Sequence, residues 1–264
     1  MRGLALFVLT YVSLVAVATM LVRLAHLPLG QWAWLAGGVG ATILTIAIGE
    51  HGRWSLGLEG PPRTATRELL LGACFAAVLI VAADGLVLAS TALRHGRGSG
   101  LPWLELIAVY VPAAVHEELV FRGYPFQKLR TYHRPFAIVA MSLVFAAMHM
   151  GNRGLTALAF VNLVLAGILL ALAYERYERL WFPIGLHFAW NLLCGPILGY
   201  DVSGYVSEAT LLTTRGRGAP WLTGGAFGIE GSVWMVLVEL GGIVFLALAP
   251  KRANQRIGES AISE

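Results

Sequence analysis

Residues 4–22 read LALFVLTYVSLVAVATMLV, an apolar run without a single charge. At 1.5 Å per residue, a helix of that length matches the ~30 Å hydrocarbon core of a bilayer. Arg2 ahead of it resembles the start of a secretory signal, but the run outlasts the ~7–15 residues of an h-region, so it is expected to stay as an anchor. Similar runs recur outward along the chain at about 31–49, 69–93, 102–121, 135–150, 155–174, 180–198 and 233–249. Short polar or Gly-, Pro- and Arg-bearing connections part them, and only those at 50–68 and 199–232 are long. Composition agrees with this reading: 57% of the 264 residues are hydrophobic, 13% are charged, and the mean hydropathy is +0.70. A soluble domain carries about 25% charged residues. Disorder, a disulfide scaffold and an ordinary soluble enzyme are thereby excluded. The expected fold class is all-α: a polytopic membrane protein with about eight transmembrane helices in one bundle. Within one membrane domain, 1–100 hold the N-terminal transmembrane helices and 101–200 the helical core that carries the chemistry. Residues 201–264 supply an extracytoplasmic loop, the last transmembrane helix and a cytoplasmic tail.

Charge gives the orientation. With eight spans both termini share a side. That side holds thirteen of the 19 Lys and Arg: Arg2, Arg53, Arg63, Arg67, Arg122, Lys128, Arg130, Arg134, Arg176, Arg179, Lys251, Arg252 and Arg256. Arg23, Arg94, Arg97, Arg153, Arg215 and Arg217 lie opposite. The positive-inside rule then puts both termini in the cytoplasm of a cell that carries the chain in its plasma membrane. The same rule explains the net charge of +4 as cytoplasmic loops, so no nucleic-acid partner is expected. Cys74 and Cys194 both lie inside apolar stretches and imply no disulfide framework.

A charge or imidazole inside a span is expensive and needs a reason. The fourth span ends in VPAAVHEELVFRGYPFQKL, with His116, Glu117, Glu118 and Arg122. Glu118 and Arg122 are four apart, stack on one helical face and can pair, while Glu117 turns about 100° away and needs another partner. The fifth span, FAIVAMSLVFAAMHM, ends near His149, four residues after Phe145. The seventh, LWFPIGLHFAWNLLCG, sets His187 and Asn191 on one face. Polar groups of these types on three spans point to a common site. A carboxylate and a histidine can hold and deprotonate a water; a second histidine and an amide can donate to an oxyanion. Together they suit amide hydrolysis without a serine or cysteine nucleophile. HEELV is not the zincin HExxH, because Val120 stands where the second histidine would be.

Glu117-Glu118-x3-Arg122, Phe145-x3-His149 and His187-x3-Asn191 together resemble the three motifs of the CPBP family. These are the CAAX-prenyl-protease and bacteriocin-processing (Abi) intramembrane proteases. The resemblance covers residues ~103–195 in the family's motif order, and the three motifs together are specific. LTGGAFGIEGS at 222–232 is a looser likeness to a Gly-rich loop of some bacterial members. The resemblance implies an intramembrane protease acting on a membrane-associated peptide or protein, with membrane lipid as its surroundings. Glu117 and His149 would activate water, and His187 and Asn191 would form the oxyanion hole. Glu118 and Arg122 would orient Glu117 or hold the helices. For the family both a metalloprotease and a metal-free site are held. A zinc ion would take Glu117, His149 and His187. If His187 serves the oxyanion, only two protein ligands remain, short of the usual three, so a metal-free site is expected.

Access is expected from the cytoplasmic side, yet the depths disagree: Glu117 and His187 fall ~10 Å below that surface and His149 ~20 Å. Either the segment 123–134 is sunk, broken at Gly123 and Pro125, or the fifth span is misplaced. Asp84 and Glu239 belong to no motif and suit helix packing or a second polar route. Glu105 is expected at the interface, His116 as a neighbour of the site, and His26, His51, His95 and His133 in loops or at the interface. A transporter using Glu117, Asp84 and Glu239 as relays, or a non-catalytic scaffold or immunity-type factor, are the alternatives. The chain lacks the two similar halves expected of the first and keeps all six motif residues that the second would lose.

Overall fold

The computed structural model describes residues 2–50 and 54–249. The expected cytoplasmic tail with Lys251, Arg252 and Arg256, together with His51 and Arg53, lies outside the described residues. The helices are α1 (Arg2–Leu24), α2 (Gly30–Leu44), α3 (Pro62–Ser90), α4 (Trp103–Glu105), α5 (Val111–Phe121), α6 (Tyr124–Tyr132), α7 (Arg134–Met148), α8 (Ala157–Tyr177), α9 (Trp181–Leu192), α10 (Pro220–Thr223) and α11 (Val233–Leu248). π turns prolong α2 to Gly49, join α4 to α5 across Leu106–Tyr110, and extend α9 to Ile197. A helical segment stands at each apolar run of the sequence. Among the described residues, Arg2–Leu24, Gly30–Gly49, Pro62–Ser90 and Ala157–Tyr177 are long and apolar enough to cross a membrane, with α7 and α11 as shorter apolar helices.

Local signals set the helix starts. The Thr156 hydroxyl accepts from Ala159 N–H at 3.1 Å to open α8, the Ser232 hydroxyl from Met235 N–H at 3.2 Å to open α11, and His133 Nδ1 from Phe136 N–H at 3.1 Å to open α7. Each supplies an acceptor to a helix N-terminus that has no intrahelical one. Packing follows from small residues. Gly72 of α3 and Gly185 of α9 lie against each other's helix backbones, at Phe182 O and Leu69 O, where a Cβ on either would collide. Such close approach is how helices associate where lipid removes the hydrophobic drive. Around this contact Ile80, Ala83, Leu169, Ala173, Leu186 and Trp190 form the largest buried cluster, from α3, α8 and α9. The hairpin of α1 and α2 flanks it through α2 on α5, and α1 itself buries only Gly3 and Phe7.

Three features differ from the sequence expectation. The third helix begins at Pro62 rather than 69, because Pro sits comfortably in a first helical turn. The fold is not purely α: Arg94–Arg97 (β1) pairs antiparallel with Leu212–Arg215 (β2), with His95 opposite Thr214. These strands carry no period-two apolar pattern and pair only through a distant partner, which hides them from a local reading. The third difference is α6, which replaces a plain loop. The helix of α5 stops at Gly123, whose Cα lies so close to Leu119 O that a Cβ would collide there, and Pro125 opens the next helix. Every residue from Glu118 to Gln127 is buried. Thus α5 ends inside the bundle and α6 carries the chain outward, which is the sunk-segment alternative. Span five, expected at 135–150, is α7 at Arg134–Met148.

Candidate active site

The six motif residues come from α5, α7 with its end, and α9, and they assemble around one cavity of about 350 Å³. Glu117, His149, His187 and Asn191 line it, whereas Glu118 and Arg122 stand behind its wall. The i,i+4 stacking of Glu118 and Arg122 produces a buried ion pair, Arg122 Nη1 to Glu118 Oε1 at 2.9 Å. Arg122 Nη2 also donates to Gly167 O of α8 at 3.2 Å. Glu118 Oε1 accepts a second bond, from His187 Nδ1 at 2.7 Å. That contact protonates Nδ1 and turns Nε2 toward Glu117, whose Oε2 is 3.8 Å away. Glu117 Oε2 is buried and has no hydrogen-bond partner. A carboxylate oxygen left so, facing a histidine across a cavity, is an acceptor awaiting a ligand. His187 can donate through Nε2 only when its ring is doubly protonated.

His149 caps the end of α7, and its Nδ1 donates to Phe145 O at 2.8 Å, so Nε2 keeps the free lone pair a base requires. Phe145 explains its own place in the motif. Its ring centroid lies 4.8 Å from that of His149 and 6.2 Å from that of His187, and the Arg122 guanidinium stands 4.8 Å above it. One aromatic ring thus spaces both histidines and covers the buried cation.

The lining extends toward the connections that follow α7 and α9. Gln31 from the first turn of α2, Asn152 and Arg153 after α7, and Ser203, Gly204 and Tyr205 after α9 belong to that lining. The stretch 118–127 is buried, and Gly3 of α1 sits against Tyr124 and Glu50. Sequence reasoning also missed Tyr110, Trp190 and Glu230 as cavity residues; the Gly-rich loop around Glu230 was the one available signal.

Glu117, His149 and His187 share the cavity, but among the described residues no three His, Cys, Asp or Glu groups gather as a metal site. A catalytic zinc needs three protein ligands within ~2.0–2.3 Å. Cys74 is exposed, Cys194 is buried, and both are free thiols.

The remaining ionisable residues lie elsewhere. Asp84 accepts from Tyr200 OH at 2.7 Å and from His95 Nε2 at 3.1 Å, tying α3 to the β1–β2 region, so His95 is more than a loop residue. Glu105 is buried and accepts from Glu208 N–H at 3.0 Å. His116 Nε2 pairs with Tyr11 OH at 2.8 Å and joins α5 to α1, away from the cavity. Glu239 is buried on α11 with Oε2 unpartnered.

Residues 99–193 match the family model described as type II CAAX prenyl endopeptidase Rce1-like. The match contains all three motifs, is consistent with a CPBP-family membrane protease as read from the sequence, and implies protease activity. No curated protein and no solved structure matches the chain.

Proposed function

We propose that the chain is an intramembrane endopeptidase that cuts a membrane-associated peptide or protein by direct attack of an activated water. The observation that carries this reading is the cavity itself: Glu117 Oε2, unpartnered, faces His187 Nε2 at 3.8 Å, with His149 and Asn191 on the same wall. A water held by Glu117 and His149 gives up one proton to Glu117 as its oxygen attacks the scissile carbonyl carbon. The carbonyl oxygen becomes an oxyanion facing donors from doubly protonated His187 and from Asn191. Collapse breaks the C–N bond, and the proton on Glu117 passes to the leaving amine. Glu118 holds His187 through Nδ1, and Arg122 neutralises Glu118; neither touches the reacting atoms. The CAAX-type match supports a prenylated peptide as a first probe, although the chemistry reads only the peptide bond.

The eight helical segments serve as eight crossings, with both termini in the cytoplasm and the chain in the plasma membrane. On that topology the cavity mouth faces away from the cytoplasm, and substrate segments approach from the outer half of the bilayer. Reporter fusions at Ser99 and at the C-terminus should report opposite sides; agreement between them sinks the topology. To test the activity, Glu117→Gln is used as a trap and the proteins co-purifying with it are identified. Enrichment of a membrane-associated protein that the parent enzyme cleaves supports the peptidase. Cleavage by Glu117→Gln at the parent's rate overturns it.

A further inference from the structure

The loop LTGGAFGIEGS between α10 and α11 takes no part in the reaction as written, yet it reaches the cavity. Gly224 has φ +84° and Gly228 φ +92°. A Cβ on Gly224 would strike Gly228 O, and one on Gly228 would strike Asp201 O. Glycine alone lets the loop fold on itself and press on the segment after α9. The fold-back drives Ile229 and Glu230 inward. Asn162 of α8 pins them there, its Nδ2 donating to Glu230 O at 2.7 Å and to Ser232 O at 2.8 Å. Glu230 is 9% exposed and lines the catalytic cavity.

Three donors converge on the Glu230 carboxylate. Trp190 Nε1 bonds Oε1 at 2.9 Å, and Ser203 bonds Oε2 through Oγ at 3.1 Å and through its backbone N–H. Two of the three can only donate, the Trp190 indole N–H to Oε1 and the Ser203 backbone N–H to Oε2, so each oxygen faces an obligate donor. The pocket therefore calls for a group with acceptors on both sides, which a carboxylate is and an amide is not. Ser203 itself holds φ +48°, unusual for a residue with a side chain, and the bonds to Glu230 fix it there.

From Glu230 two short paths lead to the reacting groups. Along one, Ser203 O accepts from Asn152 Nδ2 at 2.8 Å, and Asn152 N–H bonds His149 O at 2.9 Å. Along the other, Trp190 stands on α9 between His187 and Asn191. The carboxylate thus joins the histidine that activates water to the helix that carries the oxyanion donors, two parts of the chain that share no backbone ladder.

We propose that Glu230 is a positioning residue of the peptidase, setting His149 and α9 at their working separation through Ser203 and Trp190. The proposal rests on the peptidase reading. Displacing a reacting group by about 1 Å costs on the order of 100-fold in rate, so Glu230→Gln should lower kcat by about 10- to 100-fold with KM little changed.

The test uses the purified full chain in detergent micelles and a farnesylated, internally quenched CAAX peptide as probe. Glu230→Gln keeps the shape but must turn its NH₂ group toward Trp190 or Ser203. Adding Trp190→Phe removes one donor, so the Gln oxygen can serve Ser203. The double variant should therefore be more active than Glu230→Gln alone. Amide exchange of Ser203 and of residues 150–154 should quicken in Glu230→Gln and slow again in the double variant. Full activity with unchanged exchange in Glu230→Gln overturns the proposal. So does loss of exchange protection throughout the bundle, which would make Glu230 a folding residue only. A parent enzyme that cleaves no peptide overturns the peptidase reading instead, and the exchange data then still decide whether Glu230 holds the His149 loop.

Discussion

Removing the guanidinium of Arg122 separates what holds the site from what reacts in it. Arg122 is 1% exposed and its charge is balanced by Glu118 at 2.9 Å. It also caps Gly167 O and covers the Phe145 ring. Arg122→Met preserves much of the volume but leaves Glu118 as a buried carboxylate whose remaining partner is His187 Nδ1. Breaking a buried pair from one side costs about 3–5 kcal/mol, because the other charge stays behind unpaired. Replacing both partners is far milder, so Glu118→Gln/Arg122→Met should recover most of that loss. Titration with a denaturing detergent in mixed micelles measures both variants against the parent. The double variant should fold yet turn over slowly, because a neutral amide at 118 holds His187 Nδ1 more weakly than the carboxylate does at 2.7 Å. A cost below about 1 kcal/mol for Arg122→Met, of the size of an exposed pair, or a double variant as unstable as the single one, would refute the reasoning.

Other outcomes follow from the same geometry. Asn191→Ala should slow turnover by about 10²–10³ with folding intact, the usual value of one oxyanion donor in a water-excluding site; a collapse of thermal stability would make it inter-helix glue. The Tyr124 hydroxyl, with Lys128 and Trp54 also donating, holds the Glu50 carboxyl down at about 2 from an ordinary 4.5. The stability this contributes is whole above pH 4.5 and is lost as pH falls toward 2. Glu50→Gln should flatten the fall of the unfolding midpoint over that range, and parallel profiles would contradict the assignment. In a Cys74→Ala background, Ala113→Cys on the cavity wall should react with a small membrane-impermeant thiol reagent added outside intact cells. Reaction only in inverted vesicles would put the mouth on the cytoplasmic side.

How much of this the sequence holds depends on the range of each signal. The apolar runs at 4–22 and 155–174 are long enough to specify a spanning helix by themselves, and α1 and α8 stand on them. The i,i+4 arithmetic placed Glu118 with Arg122 and foresaw that Glu117 would look elsewhere. Motif spacing named the four cavity residues because each motif lies within one helical turn. Contacts made between distant segments were not legible. His95 and Asp84 meet only when β1 folds back on the end of α3, and Glu105 is buried only once residue 208 covers it. Helix α6 was hidden because its buried turn, Tyr124–Gln127, follows a Gly and contains a Pro, which read locally as a break.

Whether Glu117 and His149 activate water is the central question. The direct measurement is the rate at which purified parent, Glu117→Ala and His149→Ala cleave the farnesylated CAAX peptide, each checked for an unchanged unfolding midpoint. Both variants should lose about 10³-fold or more, since each deletes one of two groups that act as a unit. Cleavage by either folded variant within about tenfold of the parent would contradict that role.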